Sequence, residues 1–204
     1  MARCPTMRQL ASMEDPFSKQ ISDPVHGTIE LTPLEVRIIN TRSFQRLTRI
    51  GQLGLVHLVF PGAQYSRFSH SLGVCHVTGR ILDSIADTPG FKELNNFDDW
   101  KREWQRYRLA GLLHDVGDYP FSHTLENVLE DTYDEEHEGP HAEDDEPSTD
   151  GKKQYMEHEA VGACILKHDP EIREILKQEG YAGKVAPIFQ RIELEDESDG
   201  DNGA

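Results

Sequence analysis

Cysteine is scarce in this 204-residue chain: three residues, Cys4, Cys75 and Cys164, stand far apart with no Cys-x-x-Cys pair. That spacing excludes a disulfide framework and a zinc ribbon and reads as reduced thiols. Long hydrophobic runs are missing as well. The first ten residues, Met1 to Leu10, hold no signal-peptide apolar stretch, and no later segment approaches the roughly 18 apolar residues of a membrane span. The expectation is a cytoplasmic chain with no membrane partner. No internal repeat is present. The length suits one domain with tails.

Acidic residues are absent from Val36 to Leu82, although the whole chain carries a formal charge of −16. Residues 130–150 hold 11 acids and residues 193–201 hold 6, with no Lys or Arg in either window. Removing those 17 from the 37 acids leaves 20 against 21 bases, so the remainder is nearly neutral. Within the acid-free span fall Arg37, Arg42, Arg46, Arg49, Arg67 and Arg80. Such an asymmetry concentrates positive potential and suits an anionic ligand. A nucleic acid is not the expected partner, but the arginines keep it open.

Helical signals dominate what is there. Thr32-Pro33-Leu34-Glu35 reads as a capping box with Pro at the first helical position, opening a helix through Thr41. A second short helix carries Phe44, Leu47 and Ile50. Leu55 to Phe60 is short, β-branched and closed by Pro61-Gly62, which predicts a small strand pairing with Thr28 to Leu31. From Arg67 to Ile85, Phe68, Leu72, Cys75, Leu82 and Ile85 recur near helical spacing and place His70 in a core-facing helix. Trp100, Trp104, Tyr107, Gly111 and His114 form one stripe of the next, with Gly117 as its C-terminal cap. Further helices are expected from Ser122, from Gln154 to Lys167, from Pro170 to Glu179 and from Lys184 to Arg191. The acid-rich residues 130–150 read as a mobile loop. The fold class is all-α with a small β-hairpin at most.

His70, His114 and Asp115 are the candidate metal ligands. Neutral imidazoles and a carboxylate suit a divalent transition metal, and Zn, Mn, Fe and Ni all remain open. A cation so held lowers the pKa of a bound water and polarises a phosphoryl oxygen. Consecutive helical residues diverge by about 100°. His114 and Asp115 therefore share a site only at the last turn of their helix, facing the helix that carries His70.

Several segments, read together, resemble the HD-domain superfamily. They are Asp23 to Leu31, Phe44 to Leu47, Gln52 to Gly54, Phe60 to Ala63, Arg67 to Val74, Ala110 to Gly117, Pro120 to His123 and Glu157 to Glu159. Within that superfamily they are similar to the deoxynucleoside triphosphate triphosphohydrolases. The resemblance spans roughly residues 21–165, in order. It implies an HD helical fold over 21–191, with an N-terminal extension 1–20, an acidic insertion 130–150 and an acidic disordered tail 192–204. It also implies a metal-dependent phosphohydrolase acting on nucleotides, first of all a deoxynucleoside triphosphate triphosphohydrolase, and leaves a homo-oligomer open.

By the same resemblance His70, His114 and Asp115 bind the metal, and Gln52 and Arg67 touch the sugar and phosphates. His123 and His158 surround the scissile phosphate as proton carriers. Two departures stand out. Asp118-Tyr119 occupies the place where the family usually has His-Gly, so a carboxylate replaces a catalytic imidazole. The fourth ligand of the family, an Asp in a later segment, has no counterpart here, and Asp118 is the nearest candidate substitute. Of the family's regulatory nucleotide site, Gln45 matches while Asn40 and Thr48 differ. A module that binds a nucleotide or a partner chain without turnover, and an HD phosphodiesterase, are the competing expectations.

Overall fold

A computed structural model describes residues 17–88, 91, 97–121, 125, 128 and 158–188. Of the expected helix from Ser122 only Leu125 and Val128 are described, both helical, while the acidic stretch 130–150, the tail 192–204 and His123 lie outside the described residues. So do residues 154–157 and 189–191 of the later helices.

The chain enters through a hairpin. Strand β1 (Lys19–Asp23) pairs antiparallel with β2 (Gly27–Leu31), Ile21 opposite Ile29 and Asp23 opposite Gly27. Asp23 makes the turn: its Oδ1 accepts the backbone N–H groups of Val25 and His26 at 2.8 Å, an Asx-type turn. Gly27 follows with φ +75°, a conformation glycine adopts at no steric cost. Ile29 and Leu31 point into the core and are fully buried.

The expected pairing of Thr28 to Leu31 with Leu55 to Phe60 does not form. Residues 55–60 run through turns and a short 3-10 helix (Val56–Leu58), leaving Leu58, Val59 and Phe60 largely exposed. β2 finds its partner across a three-residue turn instead, and closing that short loop costs far less entropy than closing one of more than twenty residues.

The capping box is present as read. Thr32 accepts the Glu35 N–H and Glu35 accepts the Thr32 N–H, opening α1 (Pro33–Ile39). The helix stops two residues short of Thr41, because the Thr41 hydroxyl caps the next one, α2 (Arg42–Gln45), which continues as a 3-10 turn (Arg46–Arg49). Ser66 caps the long α3 (Arg67–Ala86), whose Leu72, Cys75 and Leu82 are buried. Antiparallel to it runs α4 (Phe97–Leu113), followed by a 3-10 turn (His114–Gly117). The two helices approach closely because Gly111 has no side chain: a Cβ there would lie 2.9 Å from Thr78 Oγ1 and 3.2 Å from Val74 Cγ1.

Gly117 does not serve as a left-handed cap. It is absent from the positive-φ residues, and its missing side chain instead admits another backbone, since a Cβ would collide with the His158 carbonyl oxygen and with Gly162 of α5 (His158–His168). Helix α6 (Pro170–Gln178) follows, capped by Asp169. Leu109, Leu112, Leu113, Val116, Phe44, Ile172 and Leu176 fill one core with the hairpin and α1. The architecture is helical with one two-stranded sheet. Among the described residues, no helix is long and apolar enough to cross a membrane.

Candidate metal centre

The first turn of α3 is fixed by backbone. The Arg67 N–H donates to the Ile50 carbonyl at 2.8 Å and the Gln52 N–H donates to the Tyr65 carbonyl at 3.0 Å. Arg67 and His70, one turn apart, therefore face the same way. Opposite them the α-helix ends at Leu113 and tightens into the 3-10 turn, so His114 and Asp115 are both turned toward α3. The donor atoms of His70, His114 and Asp115 all lie within 4.8 Å of one another. His70 Nε2 is 3.6 Å from Asp115 Oδ2, and the two imidazole rings meet edge to face with centroids 5.3 Å apart.

Hydrogen bonding decides how these rings are oriented. His114 Nδ1 lies 2.9 Å from the Gly111 carbonyl, which can only accept, so Nδ1 carries the proton. In a neutral ring the lone pair is then on Nε2, which faces Asp115 Oδ1 at 3.0 Å. A backbone-tethered imidazole of this kind is the usual outer support of a metal ligand. Burial pushes the His70 pKa down, helped by neighbouring His114 and Arg67 against the pull of Asp115. For His114, burial is outweighed by Asp115 and the Gly111 carbonyl, and its pKa rises. Burial would raise Asp115, but His114 and Arg67 prevail and hold it well below the carboxylate range.

A second group shares Asp115: ligand atoms of Asp115, Asp118 and His158 also lie within 4.8 Å of one another. Arg67 spans it. Arg67 Nη1 is 2.8 Å from Asp115 Oδ2 and 2.8 Å from Asp118 Oδ2, and all three side chains are buried. The positive charge bridging the two carboxylates is thus a guanidinium. Asp118, the candidate substitute for a fourth ligand, falls in this group and not with His70 and His114. His158 enters from α5 and also pairs with its neighbour Glu159.

One contributor escaped the sequence reading of the site. Arg46 donates to the Asp118 carbonyl at 2.6 Å and to the Val116 carbonyl, pinning the backbone that carries Asp115 and Asp118. Its signals were membership of the acid-free arginine span and of the segment Phe44 to Leu47. The Gln52 carboxamide oxygen is buried, with no hydrogen-bond partner among the described residues. His123 lies outside them. Two imidazoles and a carboxylate with converging donors fit a divalent transition metal in ligand chemistry and in spacing.

The fold and this histidine–aspartate cluster define a protein of the HD class, and the sequence profile described as "HD domain" matches residues 67–193. The chain belongs to the HD-domain family. It is 42% identical over 120 residues to the deoxynucleoside triphosphate triphosphohydrolase SAMHD1 of Bos taurus, covering 59% of this chain and 19% of that protein. It is 40% identical over 176 residues to the uncharacterized protein YwfO of Bacillus subtilis, covering 85% of this chain and 33% of that one. A crystal structure of a hypothetical protein from Aquifex aeolicus superposes with a TM-score of 0.59 at 37% identity, covering 87% of this chain and 37% of that one. The chain spans between about a fifth and a third of the length of these two curated relatives.

Proposed function

We propose that this chain is a metal-dependent phosphohydrolase acting on nucleotides, and that deoxynucleotides are its substrate class. The convergence of His70, His114 and Asp115 carries the reading; the similarity to a deoxynucleoside triphosphate triphosphohydrolase supports the substrate. In this reading His70, His114 and Asp115 hold a divalent cation such as Mn, Fe, Zn or Ni. Such a cation, when bound, lowers the pKa of a coordinated water and polarises a phosphoryl oxygen.

The chain's own side chains do the rest. Arg67 and Gln52 bind substrate, as the resemblance to the family implies. Water oxygen bonds to phosphorus, the ester or anhydride P–O bond breaks, and the leaving oxygen takes a proton. His158, on the Asp118 side of the cluster, and His123 are the proton carriers. Asp118 sets a carboxylate 2.8 Å from Arg67 where the family usually has an imidazole.

The rival reading is a module that binds without turnover, favoured by Asp118 standing where the family usually has an imidazole. Release of phosphate or triphosphate from deoxynucleoside mono- and triphosphates, with and without added Mn²⁺, separates the two. The expected result is Mn²⁺-dependent turnover that Asp115→Ala abolishes. Turnover indifferent to Asp115→Ala, or none with either substrate, overturns the hydrolase.

A further inference from the structure

Asp118 is fully buried beside Asp115 and His158. Its Oδ2 and the Oδ2 of Asp115 both lie 2.8 Å from the same Arg67 nitrogen, Nη1. This one guanidinium nitrogen is hydrogen-bonded to Asp115 and ion-paired with Asp118, so two carboxylates already face it. Asp118 is also within 4.8 Å of His158 at their ligand atoms. It therefore stands against the two side chains, Arg67 and His158, that would otherwise meet phosphate oxygens.

Asp118 is not placed to swing away. Arg46 holds the carbonyls of Val116 and Asp118, and Gly117 is packed against the backbone of α5. One guanidinium thus faces two fixed carboxylates. A monophosphate brings between one and two negative charges to such a site, and a triphosphate brings more. Every additional charge is repelled by Asp118, whose carboxylate already offsets the charge of Arg67.

We propose that Asp118 is a specificity-determining residue: held against Arg67 and beside His158, it makes this site favour a nucleotide with a single phosphate over a triphosphate. This deepens the phosphohydrolase reading and rests on it for the identity of the ligand. It does not rest on Asp118 binding a metal.

The test is binding of the 5′-methylene analogues of deoxyadenosine mono- and triphosphate, which have no scissile 5′ P–O bond. Isothermal titration is run on the full chain at one free Mn²⁺ concentration, for wild type and Asp118→Asn. The wild type is expected to bind the monophosphate more tightly. Asp118→Asn keeps the shape and removes the charge, and should move the ratio of dissociation constants toward the triphosphate by about tenfold or more, the effect of one unit charge near another in a partly buried site. Tighter wild-type binding of the triphosphate, or an unchanged ratio in folded Asp118→Asn, overturns the proposal. If the variant does not fold, the wild-type preference decides alone.

Turnover of the natural nucleotides, measured in parallel, keeps the two ideas apart. A shifted ratio with no turnover removes the hydrolase and keeps the role of Asp118. Turnover with an unshifted ratio does the reverse, and binding of neither analogue overturns both.

Discussion

Two buried arginines in this protein meet carboxylates in opposite proportions. At one centre Glu35, fully buried, accepts four hydrogen bonds: from Arg108 Nε and Nη2 at 2.7 Å, from Gln105 Nε2 at 2.9 Å and from the Thr32 N–H at 2.9 Å. Arg108 also donates to the Glu30 carbonyl at 3.0 Å and lies over the Trp104 ring, 4.6 Å from its centroid. One anion matches one cation, and every lone pair of the carboxylate is used. About two helical turns later the same part of the chain presents Asp115 and Asp118 to the single guanidinium of Arg67, with His70, His114 and His158 around them. The first centre is closed and structural. The second holds more acceptors than its one arginine matches, and that surplus is what suits a cation.

The sharpest break of this contrast is Glu35→Ala or Arg108→Ala. Each strands a buried charge, and Glu35→Ala also removes half of the capping box; the expected loss is about 3–5 kcal/mol in urea denaturation, unaffected by metal. Arg67→Ala should also destabilise, by about 3 kcal/mol, because it leaves two buried carboxylates facing each other. Here Mn²⁺ should restore part of the loss. Equal Mn²⁺ response of Arg67→Ala and Arg108→Ala would erase the distinction between the centres.

How much of this was legible in the sequence differs between the two centres. The capping box, the long helix bearing His70, and the convergence of His70 with His114 and Asp115 were readable because each rests on local spacing or on an ordered set of motifs. The partnership of Glu35 with Arg108 was not, since nothing local links residues 73 apart. Residues 55–60 were misread as a strand because β-branched composition reports a preference for a pleated, half-buried surface, and β1 had already taken the edge of β2. Gly117 was misread as a cap because a glycine serves either a left-handed turn or a close backbone approach, and only the packing of α5 distinguishes them. The pairing of Arg67 with both carboxylates was equally hidden, since the arginine span announced positive charge without saying what would neutralise it.

Smaller effects sharpen the account. Asp169 caps α6 by accepting the N–H groups of Glu171 and Ile172, and also accepts from Ser43; Asp169→Ala should cost about 1 kcal/mol by urea denaturation. The pH dependence of the metal-free protein is smaller still near neutrality. His70, with its pKa lowered, loses stability as pH falls through the ordinary histidine value, because the unfolded chain takes the proton first. His114, with its pKa raised, contributes stability below that value and loses it as pH rises. Both rings are partly exposed and their effects oppose, so the change between pH 6 and 8 should stay below about 1 kcal/mol. Below about pH 4 the depressed Asp115 should dominate and stability should fall, since its contribution is present above the ordinary carboxylate value and lost beneath it. A urea series across pH checks both arms. Least in energy, Cys75 should resist a thiol reagent at pH 8 in the native state, because burial first, and Glu35 second, push its pKa up.

The most direct test of the central claim, that His70, His114 and Asp115 form a cation site, is titration calorimetry of metal-free protein with Mn²⁺, wild type against His114→Ala. One cation per chain in the wild type, with affinity weakened at least about 100-fold in the folded variant, is the predicted result. A wild type that takes up no transition metal, or a folded His114→Ala that binds it equally well, would contradict the account.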